Sequence, residues 1–101
     1  MKSLLLYREF AGDDPQYPSI RDSFSPDAYA GQEKIAAYLR RGRVTLCAPS
    51  VAVDVLTGER IEGRMCLMTD GEYSWNNALA YYVEKYNLRL PVEFEKKVLS
   101  A

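Results

Sequence analysis

Histidine is absent from this sequence of 101 residues, which removes the commonest general base, the commonest metal ligand and every Ser-His or Cys-His catalytic pair. Cysteine occurs only at Cys47 and Cys66, too seldom for a disulfide scaffold and without the close spacing of a zinc or redox motif. Surplus charge is missing as well. Thirteen Lys and Arg face fourteen Asp and Glu, for a net charge of -1, so no basic field is available to hold a nucleic-acid backbone. The amino-terminal apolar run Leu4-Leu5-Leu6 is broken by Tyr7-Arg8-Glu9 and is shorter than a signal peptide needs. No membrane association and a cytoplasmic location are the expectations. Gly58, Gly63 and Gly71 form no phosphate-cradling run, and no acid falls in EF-hand spacing, so neither a cofactor nor a metal is expected.

What remains is an ordinary globular composition, 48% apolar and 27% charged, in a chain short enough for a single domain over residues 1–101. Ser3 to Phe10 mixes leucine with aromatics and reads as a first strand. Residues 11–30 carry three proline-bearing breaks and read as a long ordered loop or a pair of turns, with Tyr17, Ile20, Phe24 and Tyr29 to pack it on the domain. In Gln32 to Arg41, Ile35, Tyr38 and Leu39 recur at helical spacing. Gly42 follows as the expected left-handed terminator, and the Arg40-Arg41-x-Arg43 cluster reads as dipole complementation in preference to a phosphate site.

Beyond Gly42 the sequence turns to β-favouring residues. Val51, Val53 and Val55 alternate with Ala52 and Asp54, and Leu56-Thr57-Gly58-Glu59-Arg60 reads as the turn of a hairpin. Its return arm, Ile61 to Thr69, is apolar enough to be central. Asp70-Gly71 makes a second turn into Glu72-Tyr73-Ser74-Trp75, and Val44 to Ala48 adds a strand that Pro49 stops. Leu79, Tyr82, Val83 and Tyr86 mark an amphipathic helix closed by Asn87, and Leu90-Pro91 opens a second with Phe94 and Val98 inward. The expected fold is α+β, an antiparallel meander of about four strands with two or three helices mainly on one face. Both cysteines lie among apolar neighbours and read as buried reduced thiols, with a bridge between neighbouring strands as the alternative.

Asp54, Glu59, Glu62, Asp70 and Glu72 cluster at the two turns. Turn acids usually bond backbone amides and stay solvated, so they are read as surface charge; an enzyme would need Asp54 or Asp70 beside a tyrosine in a pocket. The eight tyrosines and one tryptophan suit both a core and a contact surface. Tyr17, Tyr29, Tyr73 and Tyr81, with Asp54, Glu59, Asp70 and Glu72, are the candidate partner-binding residues.

The runs Leu56-Thr57-Gly58-Glu59, Thr69-Asp70-Gly71-Glu72-Tyr73-x-Trp75, Tyr81-Tyr82-Val83-Glu84-Lys85-Tyr86 and Leu90-Pro91-x-Glu93-Phe94 resemble a group of small bacterial proteins. Some of that group resemble the immunity proteins that accompany polymorphic toxins. Asn76 stands where that pattern often has proline, and no catalytic residue comes with the resemblance. It implies a non-enzymatic protein-binding domain, an inhibitor of a toxin domain, with an acidic face suited to a basic target. The alternative is a small-ligand or peptide-binding regulatory module whose loop 11–30 covers a pocket.

Overall fold

In the computed structural model the described residues are 2–100, with Glu62 described by its backbone alone. The order of elements is β1 (Lys2–Ser3), α1 (Gln32–Arg40), β2 (Arg43–Val53), β3 (Arg60–Thr69), β4 (Tyr73–Asn76), α2 (Leu79–Tyr86) and α3 (Val92–Ser100), with 3-10 turns at Arg8–Phe10 and Ile20–Ser23. The architecture is α+β. Its sheet has four strands in the order β1-β4-β3-β2, and β3 is central, as its apolar sequence anticipates.

The sheet is mixed where the sequence suggested an antiparallel one. β2, β3 and β4 form an antiparallel meander, but β1 runs parallel to β4, with Lys2 opposite Tyr73 and Ser3 opposite Ser74. β1 is also far shorter than the expected strand. The Ser3 hydroxyl accepts the Leu5 amide at 3.0 Å and turns the chain, after which Leu4 and Tyr7 are buried while Leu6 is exposed. The Glu9 carboxylate then accepts the Ile20 amide and the Ser19 hydroxyl, which a strand continuing to Phe10 would not permit.

Pro49 does not stop β2. An edge strand tolerates a proline because its outward face needs no donor, and the register slips by two residues between Cys47 and Val51 to accommodate it. Cys47 lies directly opposite Cys66 across β2 and β3, and the two sulfurs are joined in a disulfide. The reduced-thiol reading is therefore corrected: pairing register, invisible in the spacing of two cysteines, brings them together.

The helices pack on the sheet. α1 and α3 lie over the face of β4 that carries Tyr73 and Trp75, with Phe94 edge-on to both rings at 5.0 and 5.9 Å. Trp75 is fully buried, and its indole N–H donates to the Leu39 carbonyl at 3.1 Å, so its polar atom is satisfied inside the core. Gly42 does not take the left-handed conformation expected of it. Arg41 ends the helix at φ -90°, ψ 1°, and glycine is needed next because a Cβ there would stand 2.5 Å from Trp75 Cζ2. α2 ends as anticipated on Asn87 at φ 57°. No helix among the described residues is long and apolar enough to cross a membrane.

Candidate functional site

Asp54 and Asp70, the two acids best placed for chemistry, have their oxygens fully engaged. Asp54 is completely buried at the hinge of the β2–β3 turn. Its Oδ1 accepts the Leu56 and Thr57 amides, and its Oδ2 accepts the Tyr81 and Tyr86 hydroxyls at 2.8 and 2.6 Å. Burial alone would raise its pKa, but the two hydroxyls and two amides outweigh it and hold the carboxyl below its ordinary value. The same bond contributes most to pushing Tyr86 up to about 12, with burial adding to it. Asp70 repeats the design at the β3–β4 turn. Its Oδ1 accepts the Glu72 and Tyr73 amides, and its Oδ2 accepts Tyr38 at 2.6 Å and Lys97 at 2.8 Å. Burial opposes ionisation there too, but Lys97, Tyr38 and the amides hold the carboxyl far below the usual range.

These contacts correct the expected contact surface. Asp54 and Tyr73 are buried, so neither meets a partner; Asp54 is drawn in by its turn amides, and Tyr73 points into the core against Phe94. Tyr17, Tyr29 and Tyr81 are half-buried, and Asp70 is mostly shielded. The Tyr29 hydroxyl donates to the Leu88 carbonyl at 2.6 Å beneath the Arg89 guanidinium, and Tyr81 is spent on Asp54. Only Glu59 and Glu72 of the candidates are exposed, and Glu72 pairs with Lys97 and Lys2. Asp54 with Tyr81, and Asp70 with Glu72 through Lys97, enter two separate networks, Tyr17 and Tyr29 belong to neither, and the candidates do not form one patch. Glu62, the remaining turn acid, has a side chain outside the described residues.

The feature that sequence reasoning missed is the outer surface of the β2–β3 ribbon. β4 pairs only with Leu67, Met68 and Thr69 of β3, so the rest of the ribbon has no third strand over its length. Asn77 extends that coverage a little, its side chain accepting the Cys66 amide and donating to the Arg64 carbonyl. On β2, Ala52 alone is buried. Val44, Leu46, Val51, Val53 and Val55 are exposed along it, Leu46 by 64% of its surface, and Leu67 joins them from β3. Arg43, Glu59, Arg60 and Arg64 are exposed among these side chains. The available signal was an excess: residues 44–55 hold more aliphatic side chains than one buried strand face can absorb.

The loop at residues 11–30 is ordered by backbone bonds to the region after α2, Ser25 to Asn87 and Arg89 to Ser23, and by the completely buried Ile20. It borders a groove of about 540 Å³ between Pro18, Phe24, Leu6 and Val92. A second cleft, about 440 Å³, opens between the end of α1 and the β3–β4 turn. Among the described residues no group of three or more acidic or cysteine side chains is placed to hold a metal ion.

No family model, curated protein or solved structure matches the chain.

Proposed function

We propose that this chain is a non-enzymatic protein-binding domain whose contact surface is the β2–β3 ribbon. The observation that supports it is the row of exposed aliphatic side chains on a free edge strand. Exposed aliphatic side chains along an unpaired strand edge offer a template for pairing with another chain. The occupant is an extended segment of another protein, added beside β2 so that main-chain bonds give affinity and alternate side chains give register. Self-pairing is the weaker fit, because a two-fold axis at the middle of β2 would bring two copies of Pro49 together, where neither donates a bond. The saturated oxygens of Asp54 and Asp70 support the non-enzymatic reading, since a general base needs a free lone pair.

The narrower form, in which the partner is a bacterial toxin domain, rests on the resemblance of the carboxyl-terminal half to immunity-like proteins. In that form the exposed arginines of the ribbon favour a partner segment with acidic flanks, where the sequence alone had suggested a basic target. Co-expression with the products of neighbouring genes tests it. A one-to-one complex lost on Leu46→Lys is expected; a chain always recovered alone, or self-associated through β2, contradicts it. The second reading, a small-ligand or peptide-binding module, is favoured by the groove beside the loop 11–30, rimmed by exposed Leu6 and Val92. It predicts a ligand-dependent thermal shift lost on Leu6→Asp. Cytoplasmic residence fits poorly with the Cys47–Cys66 bridge, since such bonds persist in oxidising compartments.

A further inference from the structure

The three arginines at and just beyond the end of α1 have different fates. Arg40 forms a bidentate pair with Glu84, which ties it to α2. Arg41 and Arg43 instead both line the cleft of about 440 Å³, together with Tyr38, Gly42, Asp70 and Gly71. Among the described residues neither guanidinium makes an ion pair or hydrogen bond. The one acid of the cleft, Asp70, does not answer them, because Lys97, the Tyr38 hydroxyl and two amides already occupy its oxygens.

The helix end beneath the cleft has three of its last four carbonyls hydrogen-bonded. A helix C-terminus ordinarily repels anions through its unsatisfied carbonyls. Here the Arg41 amide bonds the Ala37 and Tyr38 carbonyls, and the Leu39 carbonyl accepts both the Gly42 amide and the Trp75 indole. Gly42 stands between the two arginines, where a Cβ would meet the Trp75 ring at 2.5 Å. The cleft volume lies within the roughly 300–1,000 Å³ typical of small-ligand sites.

We propose that this cleft binds a doubly charged oxyanion, the phosphate of a phosphomonoester or the paired carboxylates of a small diacid, between the Arg41 and Arg43 guanidiniums. Planar guanidinium forks match both oxyanion geometries, and a dianion supplies the two charges that the cleft lacks. The site shares Arg43 with the end of the ribbon, but it is tested with small anions alone and includes Arg41, which lies outside β2, so its failure and that of the protein-binding reading are separable.

The test is titration of the folded protein with inorganic phosphate and, separately, succinate, against sodium chloride of matched ionic strength, read by the arginine side-chain N–H resonances. The Arg41 and Arg43 signals are expected to shift saturably with at least one dianion, while Arg60 stays still. Phosphate alone identifies a phosphate site, and succinate alone a dicarboxylate site. Arg41→Gln and Arg43→Gln each weaken binding about tenfold or more, as loss of a charged hydrogen-bond partner does, and Arg60→Gln leaves it unchanged. These side chains are exposed, and an unaltered melting temperature verifies that the variants fold. Equal responses to chloride, or shifts of Arg60 as large as those of Arg41, overturn the proposal.

Discussion

Replacing Gly42 with alanine adds a single methyl group where the least space is open among the glycines. The new Cβ would stand 2.5 Å from Trp75 Cζ2 and 3.3 Å from Cε2 and Cη2. The indole cannot retreat: it is wholly buried, tethered to the Leu39 carbonyl, and backed by Phe94 at 5.9 Å. Overpacking of this kind costs about 1–3 kcal/mol, and the rigid surroundings place this case near the top. The reduced freedom of the unfolded chain returns about 0.5 kcal/mol, for a net loss of about 2.5 kcal/mol. In a domain of this size that lowers the melting temperature by about 10–20 °C. Gly58→Ala is the control, since it has open space around it and only its φ of 76° to oppose a side chain, at a cost of about 1 kcal/mol. Thermal and urea unfolding, followed by the fluorescence of the single tryptophan, measure both. If Gly42→Ala loses no more than Gly58→Ala, the packing of α1 on β4 described above is wrong.

Reducing the Cys47–Cys66 bridge, or replacing Cys47 with serine, should lower stability by about 3 kcal/mol, the value for a loop of this size, since 19 residues separate the two; unchanged denaturation midpoints with and without reductant would contradict it. Because the pKa values of Asp54 and Asp70 are lowered on folding, their contribution is full above the unfolded value of about 3.9 and is lost as pH falls below it. Asp54→Asn should therefore flatten the acid limb of a stability–pH curve, and a parallel curve would argue against the network. Tyr29, raised mainly by burial, and Tyr86, raised mainly by its bond to Asp54, both ionise near 12 in the folded state. Stability they confer is present below the unfolded value of about 10 and is lost as pH rises from there through the folded value of about 12. Near-UV titration should show tyrosines that ionise late in the native protein and together with the others in urea.

Much of the fold was legible because it follows from local pattern. The stripe of Leu79, Tyr82, Val83 and Tyr86, the Asn87 terminator and the central β3 depend on neighbours in sequence and appear where the spacing places them. The parallel pairing of β1, the passage of β2 through Pro49 and the disulfide depend on partners far along the chain, which no local period reports. Gly42 is instructive, since sequence logic assigned it a helix-ending role and the actual constraint is a ring 33 positions away. The candidate site was the least legible part. Turn acids and tyrosines look exposed by composition, yet Asp54 recruits Tyr81 and Tyr86, and Asp70 recruits Tyr38, into internal networks. The aliphatic residues of β2 look like core and face solvent, because β2 is the edge strand and the helices pack over β4.

Amide hydrogen exchange in the complex formed with a co-expressed partner addresses the ribbon most directly. The backbone amides of Arg43–Val53 are those that should gain protection, together with loss of the complex in Leu46→Lys and its retention in Leu6→Asp. Protection confined to the groove beside Leu6 and Val92, with β2 exchanging as it does in the free chain, would contradict the assignment of the ribbon as the contact surface.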